Sequence, residues 1–290
     1  LITVDYPGFN MKLAKLAHEK GIPVVSYIAP SAWAWHKSRA KNVAKIVDRV
    51  ACIFPFEYDV YKEAGAKVEF VGHPLVDIVK PSMTINEANA FAGKKEGRKL
   101  ILLMPGSRLM EIEKMLPTLL EAAKIIQKQL PEVDFVMPRA GTIPLNLLEE
   151  KIQASGLDVR ITEGHNYDLF SVADLALATS GTVTLEAALC GLGSVIVYRT
   201  NPLTYMIAKL VVNIPHIGLP NIVAGRSVVP ELIQNDFTPA KVAKAAMELL
   251  ESERNALMKK DLEYVKERLG KPGAVGRVAE LVLKIAGEKR

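Results

Sequence analysis

Two short stretches of this chain place glycine, hydroxyl and charged side chains directly after an apolar run, an arrangement that can hold an anion. In Leu102-Leu103-Met104-Pro105-Gly106-Ser107-Arg108 the apolar run ends in a tight turn, and Glu111 opens a long amphipathic stretch. Backbone N–H groups at a helix start favour negative charge, and the planar fork of Arg108 matches phosphate oxygens. An ordinary strand–helix turn with a solvated arginine would carry the same residues. The second stretch is Ala178-Thr179-Ser180-Gly181-Thr182-Val183-Thr184-Leu185-Glu186. Amides and hydroxyls of Ser180, Gly181 and Thr182 can hold a pyrophosphate against the positive end of the next helix. Glu186, one helical turn in, is placed to accept from ribose hydroxyls. No lysine follows the glycine, so this is not the phosphate loop of an ATPase. Alone it also fits a plain capped helix.

Other candidates are weaker by spacing. In Gly218–Arg226, Asn221 suits a base or a sugar and Arg226 a phosphate or a structural carboxylate, although a packed loop accounts for the segment equally well. Asp5-Tyr6-Pro7-Gly8-Phe9-Asn10 sets a carboxylate at the end of a strand, an address for a catalytic base or for turn chemistry. Trp33 and Trp35, in Pro30–His36, could face an acyl chain or a sugar, or pack on a neighbouring helix. His73 in Val71-Gly72-His73-Pro74 reads first as a hinge residue and second as a phosphate contact. Tyr198–Val212, which includes Tyr205, has the pattern of an amphipathic helix for a membrane surface or for the core. The five histidines lack metal-ligand spacing, so no metal site is expected.

These residues need elements to hold them. Strand-like runs at Leu1–Asp5, Ile22–Ile28, Val50–Phe54, Val68–Val71, Leu100–Met104, Val133–Met137, Val159–Ile161, Leu175–Ala178 and Ser194–Val197 alternate with helical stretches. Among the helical stretches are Asn10–Lys20, with Asn10 as its cap, and Glu111–Gln129. Such alternation predicts an α/β chain of two doubly wound, Rossmann-like domains facing across a cleft. The first domain is expected over residues 1–80 and the second over 81–262. A C-terminal helix, 263–290, is expected to pack back across the junction. Lys80–Arg98, with Pro81, Gly93 and Gly97, reads as the linker. The chain opens on an apolar strand that needs neighbours, so the first domain is expected to lack its N-terminal part.

Of 290 residues, 49% are hydrophobic and 24% charged, enough for real cores, and the net charge of +5 favours anionic partners without choosing among them. Two cysteines exclude a disulfide framework. No apolar run reaches the ~18 residues of a spanning helix. The positive charge is diffuse and no nucleic-acid module is present, so nucleic acid is not an expected partner.

Taken in order, several segments resemble the bacterial lipid-A-disaccharide synthase family over nearly the whole chain. They are Asp5–Asn10, Pro30–Trp35, Phe54-Pro55-Phe56-Glu57, Val71–Pro74, Pro105–Arg108, Ser180–Thr182 with Glu186, Leu219–Asn221 and Ala224–Arg226. The resemblance implies a two-Rossmann-domain glycosyltransferase of the GT-B type, acting without metal or cofactor in lipid A and lipopolysaccharide biosynthesis. It implies inverting transfer from UDP-2,3-diacylglucosamine to 2,3-diacylglucosamine 1-phosphate (lipid X), giving the β-1,6 disaccharide 1-phosphate and UDP. Asp5 and Arg108 match positions essential in the family. The expected UDP-sugar site comprises Gly106, Ser107, Arg108, Ser180, Gly181, Thr182, Glu186, Asn221 and Arg226, with Trp33, Trp35, His73 and Tyr205 on the acceptor and lipid side. The family is cytoplasmic and peripheral at the inner face of the inner membrane, and a homodimer stays open. Two departures stand out: Gly8 occupies a position where the family usually has a second aspartate, and the family's N-terminal glycine-rich segment would precede Leu1. Rival readings are a peptidoglycan transferase or a 2-epimerase of the same fold, or an inactive nucleotide- or lipid-binding module.

Overall fold

The computed structural model describes residues 1–32, 37–202, 204–206 and 215–288. The chain forms two units. One comprises Leu1–Ile78 with Met206 and the chain from Lys266 onward, the other Val79–Tyr205 and Pro215–Val265.

In the first unit, β1 (Ile2–Val4), β2 (Val25–Tyr27), β3 (Arg49–Cys52) and β4 (Val68–Phe70) form a parallel sheet in that order. Parallel neighbours require crossovers, and α1 (Pro7–Glu19), α2 (Lys37–Ile46) and α3 (Pro55–Glu63) lie in them, with the short α4 (Leu75–Ile78) after β4. Proline opens both α1 and α3, where its missing N–H would have no helical partner. Ala14, Val24, Ala40, Val43, Val50 and Tyr61 form the core. Tyr61 keeps its buried hydroxyl satisfied by donating to the Pro30 carbonyl at 2.6 Å.

The second unit carries a six-stranded parallel sheet. Its strands are β5 (Lys99–Met104), β6 (Val133–Arg139), β7 (Val159–Glu163), β8 (Leu175–Thr179), β9 (Ser194–Tyr198) and β10 (Glu231–Ile233), in the spatial order β10-β9-β8-β5-β6-β7. Leu100–Leu103 are fully buried, as expected of a strand covered on both faces. The helices of this unit are α5 (Ile85–Ala92), α6 (Leu109–Gln129), α7 (Leu145–Ser155), α8 (Asn166–Val172), α9 (Thr182–Leu189), α10 (Leu219–Ala224) and α11 (Pro239–Leu250). The last one, α12 (Ser252–Arg268), carries the chain back to the first unit, and α13 (Ala274–Glu288) follows there.

Three expectations change. Asn10 does not cap α1, which starts at Pro7. Its side-chain amide donates instead to the carbonyls of Val4 (3.1 Å) and Asp5 (2.8 Å). Lys80–Arg98 is not a plain linker. Thr84 and Glu87 form a reciprocal capping box that opens α5, and buried Asp168 accepts from the Ser82 and Met83 N–H groups at 2.6 and 2.7 Å. Gly218–Arg226 is a helix rather than a loop for most of its length. Sequence reading also missed β10, whose apolar run is interrupted by Pro230 and Glu231.

Within the first unit, α13 is fastened to the turn after β4. Arg277 Nε donates to the Val71 carbonyl at 2.8 Å, and Asp77 accepts from the Gly273 N–H at 2.8 Å. Gly72 has φ +83°, and a Cβ there would stand 2.9 Å from the Arg277 guanidinium, so this position requires glycine. His73 is 6% exposed, its N–H bonded to the Leu269 carbonyl (2.9 Å), its Nδ1 accepting from Leu75 N–H (3.1 Å) and its ring 4.8 Å from that of Phe54. These contacts make it a structural post in this turn.

Burial pushes the His73 imidazole down to about 4. An unfolded chain takes up a proton near the ordinary value of 6.5 that the folded chain refuses. Stability is therefore expected to fall as pH drops from 6.5 towards 4, by at most about 1.4 kcal/mol per pH unit from this group. Urea midpoints measured across that window check the slope, which His73→Gln should flatten.

Candidate functional site

In the second unit the chain winds from β5 outward to β6 and β7 on one side, and from β8 to β9 and β10 on the other. Strand order reverses between β5 and β8, and crevices at such reversals are where doubly wound sheets bind ligands. A pocket of about 400 Å³ opens there, lined by the turns that follow β5, β6 and β8. It brings together Gly106, Ser107, Arg108, Ser180, Gly181, Thr182 and Glu186 of the expected site.

The two turns differ in how their helix starts are satisfied. After β5, the Glu111 carboxylate folds back over the start of α6. Its Oε2 accepts from the N–H groups of Ser107 (2.8 Å) and Arg108 (3.2 Å), and its Oε1 lies 2.7 Å from Arg108 Nη1. Gly106 makes room for this, because at φ +120° a Cβ would stand 2.4 Å from Glu111 Oε2. The Thr142 hydroxyl donates to the Ser107 carbonyl at 2.8 Å and steadies the same turn. The Ser107 amide, expected to serve a ligand, is thus held by a resident carboxylate. What this turn offers the pocket is the Arg108 side chain, 80% exposed on the rim and held from behind by Glu111.

After β8 no such carboxylate covers the turn. Ser180 is anchored, its N–H bonded to the Val197 carbonyl (3.0 Å) and its hydroxyl donating to the Ile217 carbonyl (2.9 Å). The N–H groups of Gly181, Thr182 and Val183 have no partner among the described residues, and the first turn of α9 carries no acidic side chain. This helix start is open to an anion.

Sequence reasoning missed three lining groups. Arg139, at the end of β6, is a second guanidinium, donating from Nη1 to the Ile143 carbonyl at 2.7 Å and paired through Nη2 with Glu163. Asn166 lines the pocket from the start of α8. Thr179 closes the end of β8, and its hydroxyl, in a residue only 3% exposed, has no hydrogen-bond partner among the described residues. An orphaned buried hydroxyl beside a pocket is a ready group for a ligand. Glu186 is half-buried. Burial raises its carboxyl above the ordinary range, against the opposing pull of its hydrogen bond with Tyr167.

Other expected site residues lie elsewhere. Asn221 is fully buried and bonded through both ends of its amide. It donates to the Val229 carbonyl (2.8 Å) and Glu231 Oε1 (2.7 Å), and it accepts from the N–H groups of Val228 (2.7 Å) and Val229 (3.0 Å). It braces the edge strand rather than lining the pocket. Arg226 pairs with Asp261 at 2.6 Å over the Tyr264 ring and is likewise no part of the lining. Tyr205 is partly exposed in a helical turn, its N–H bonded to the Asn201 carbonyl. Trp33 and Trp35 lie outside the described residues. Asp5 follows β1 in the first unit, in left-handed backbone (φ +48°) continued by Tyr6 (φ +43°), and the Asn10 amide pins the turn. Among the described residues no cluster of three His, Cys, Asp or Glu side chains could hold a metal, and no helix is long and apolar enough to cross a membrane.

Two parallel, helix-covered units, one with an anion-ready pocket at its strand-order reversal, define the GT-B class of sugar-nucleotide enzymes. Solved structures agree on the fold. The chain superposes on a UDP-GlcNAc 2-epimerase from Neisseria meningitidis bound to UDP-GlcNAc with a TM-score of 0.65 and 16% identity, over 98% of this chain and 76% of that one. For a putative UDP-N-acetylglucosamine 2-epimerase from Listeria monocytogenes the TM-score is also 0.65, with 14% identity over 100% and 75%. Residues 1–285 match the profile of the lipid-A-disaccharide synthetase family, and the chain belongs to that family. It is 43% identical over 290 residues to the lipid-A-disaccharide synthase of Geobacter sulfurreducens, spanning 100% of this chain and 76% of the relative. With that of Nitrosococcus oceani it shares 42% over 284 residues, 98% of this chain and 73% of the relative. The protein is a glycosyltransferase of lipid A biosynthesis.

Gly106→Ala tests the resident carboxylate. It forces a Cβ onto Glu111 in backbone that alanine rarely adopts, and UDP affinity should fall about tenfold, ~1.4 kcal/mol. Calorimetric titration reads the change, and unaltered affinity would show that this turn does not shape the pocket.

Proposed function

We propose that the protein transfers a 2,3-diacylglucosaminyl group from UDP to the 6-hydroxyl of 2,3-diacylglucosamine 1-phosphate, with inversion. The products are the β-1,6 disaccharide 1-phosphate and UDP. Membership of the family supports the reaction. The observation that carries the site is the open start of α9 on the same pocket as the Arg108 guanidinium.

The donor diphosphate lies against the free N–H groups of Gly181, Thr182 and Val183, with Arg108 on its outer oxygens. As the sugar–oxygen bond breaks, negative charge grows on the leaving UDP, and these donors stabilise it where it develops. Glu186 accepts from ribose hydroxyls, and Thr179 supplies a further hydrogen bond within the pocket. Asn221 and Arg226 act behind the site as braces. Asp5 takes the proton of the attacking 6-hydroxyl, so one displacement at the anomeric carbon forms the new C–O bond as the old one breaks. Both substrates carry acyl chains, and the protein works as a peripheral enzyme at the cytoplasmic face of the inner membrane. Exposed Tyr6, Phe9 and Leu16, interspersed with Lys12 and Lys15, support contact with an anionic lipid surface.

Arg108→Ala is expected to lower kcat by about two to three orders of magnitude, as does loss of a charge-stabilising donor elsewhere. Rates like the wild type's would remove Arg108 from the chemistry. For Asp5→Asn the expectation is a kcat loss of about 10²–10⁴-fold with UDP affinity nearly intact. A matching loss of nucleotide affinity would make Asp5 structural. Acylated and unacylated UDP-glucosamine derivatives, offered side by side, separate this activity from a peptidoglycan-type transferase or an epimerase.

A further inference from the structure

The first unit has a pocket of its own, of about 300 Å³, between the start of α1 and one face of α2. Pro7, Gly8 and Met11 line it from α1, and Pro30 from the segment after β2. Arg39, Asn42, Val43 and Ile46 line it from α2, at the i, i+3, i+4, i+7 spacing that stacks side chains on one helix face. Its walls are mostly apolar, and its polar groups are one guanidinium and one amide.

Three features mark it as a binding site. Pro7 and Pro30 follow the carboxyl ends of β1 and β2, the end at which parallel sheets take ligands, and Pro7 comes two residues after Asp5. Second, its one charged lining group is a cation: Arg39 stands on the lining face of α2, and it has no ion-pair or hydrogen-bond partner among the described residues. Third, backbone strain collects around it. Of the five non-glycine residues with positive φ among those described, Asp5 and Tyr6 follow β1, and Ile28 (φ +54°) follows β2. Such conformations cost free energy and persist where function fixes the backbone.

We infer that this pocket seats the acceptor, with Arg39 gripping its 1-phosphate and the apolar wall of Met11, Val43 and Ile46 receiving the sugar ring and the first carbons of its acyl groups. A volume of about 300 Å³ suits a phosphorylated sugar head and is too small for whole acyl chains. Asn42 offers an amide to a ring hydroxyl. Asp5 is close along the chain to Pro7 and Gly8, which ties the acceptor to the base that deprotonates it. The inference rests on the transfer reaction proposed above and adds the residues that select the acceptor.

The test is steady-state kinetics with each substrate varied, using the diacylated glucosamine 1-phosphate acceptor and its analogue lacking the phosphate. Arg39→Ala should raise the acceptor KM about tenfold or more, leave the donor KM within about twofold, and change little for the unphosphorylated analogue. Arg39→Lys should recover most of the loss. Gly8→Leu fills the pocket from a helical position where an added Cβ meets nothing within 4 Å, so folding tolerates it. It should raise the acceptor KM with the melting temperature held. An unchanged acceptor KM in both variants overturns the inference. Equal losses for acceptors with and without phosphate overturn the role of Arg39. Acceptor binding is also measured directly by equilibrium dialysis without donor. If the unaltered protein binds acceptor through Arg39 but forms no disaccharide, the transfer reading fails and the pocket stands. If it forms disaccharide and the variants match it, only the pocket fails.

Discussion

Backbone N–H groups at a helix start have no partner inside the helix, and how each set is satisfied decides what this protein can hold. At α6 the chain supplies its own carboxylate: Glu111 takes the N–H groups of Ser107 and Arg108 and one arm of the Arg108 guanidinium. At α9 the groups of Gly181, Thr182 and Val183 stay open. Both helices start beside the reversal of strand order between β5 and β8, so a turn held by its own carboxylate and a turn without one border a single pocket. The first fixes an arginine, and the second leaves its backbone donors uncovered.

Local patterns made much of this legible in the sequence. Leu100–Leu103 read as a buried strand because every residue is apolar, and burial on both faces is what a central parallel strand needs. The turns at Gly106 and Gly181 were recognisable as strand–helix turns because small residues and hydroxyls stand beside a helix start after an apolar run. What could not be read depends on contacts distant in the chain. Asn221 looks the same in sequence whether it faces a sugar or a folded-back strand, and only the return of Val228–Glu231 over α10 shows that its amide is occupied. Arg226 was similarly ambiguous until Asp261, 35 residues on, claimed it. Arg139 gave no signal, since neither a glycine nor a hydroxyl stands directly beside it. The Glu111 contact was partly visible, because Glu111 stands three positions after Arg108 as in a capping box, but its effect on the Ser107 amide is a matter of geometry.

The left-handed pair Asp5 and Tyr6 has a consequence for how this protein can change. Each residue sits about 1–3 kcal/mol above an unstrained alternative, and Asn10 holds the bend by taking the carbonyls of Val4 and Asp5. Glycine at position 6 would adopt the same backbone without that penalty, yet the chain keeps a tyrosine that is 72% exposed and gains little from burial. Selection for heat resistance alone would erase this bend early. Thermostable descendants of this sequence that still make product should therefore gain their robustness in the second sheet and in the helices around it, and leave the stretch from Val4 to Asn10 as it is.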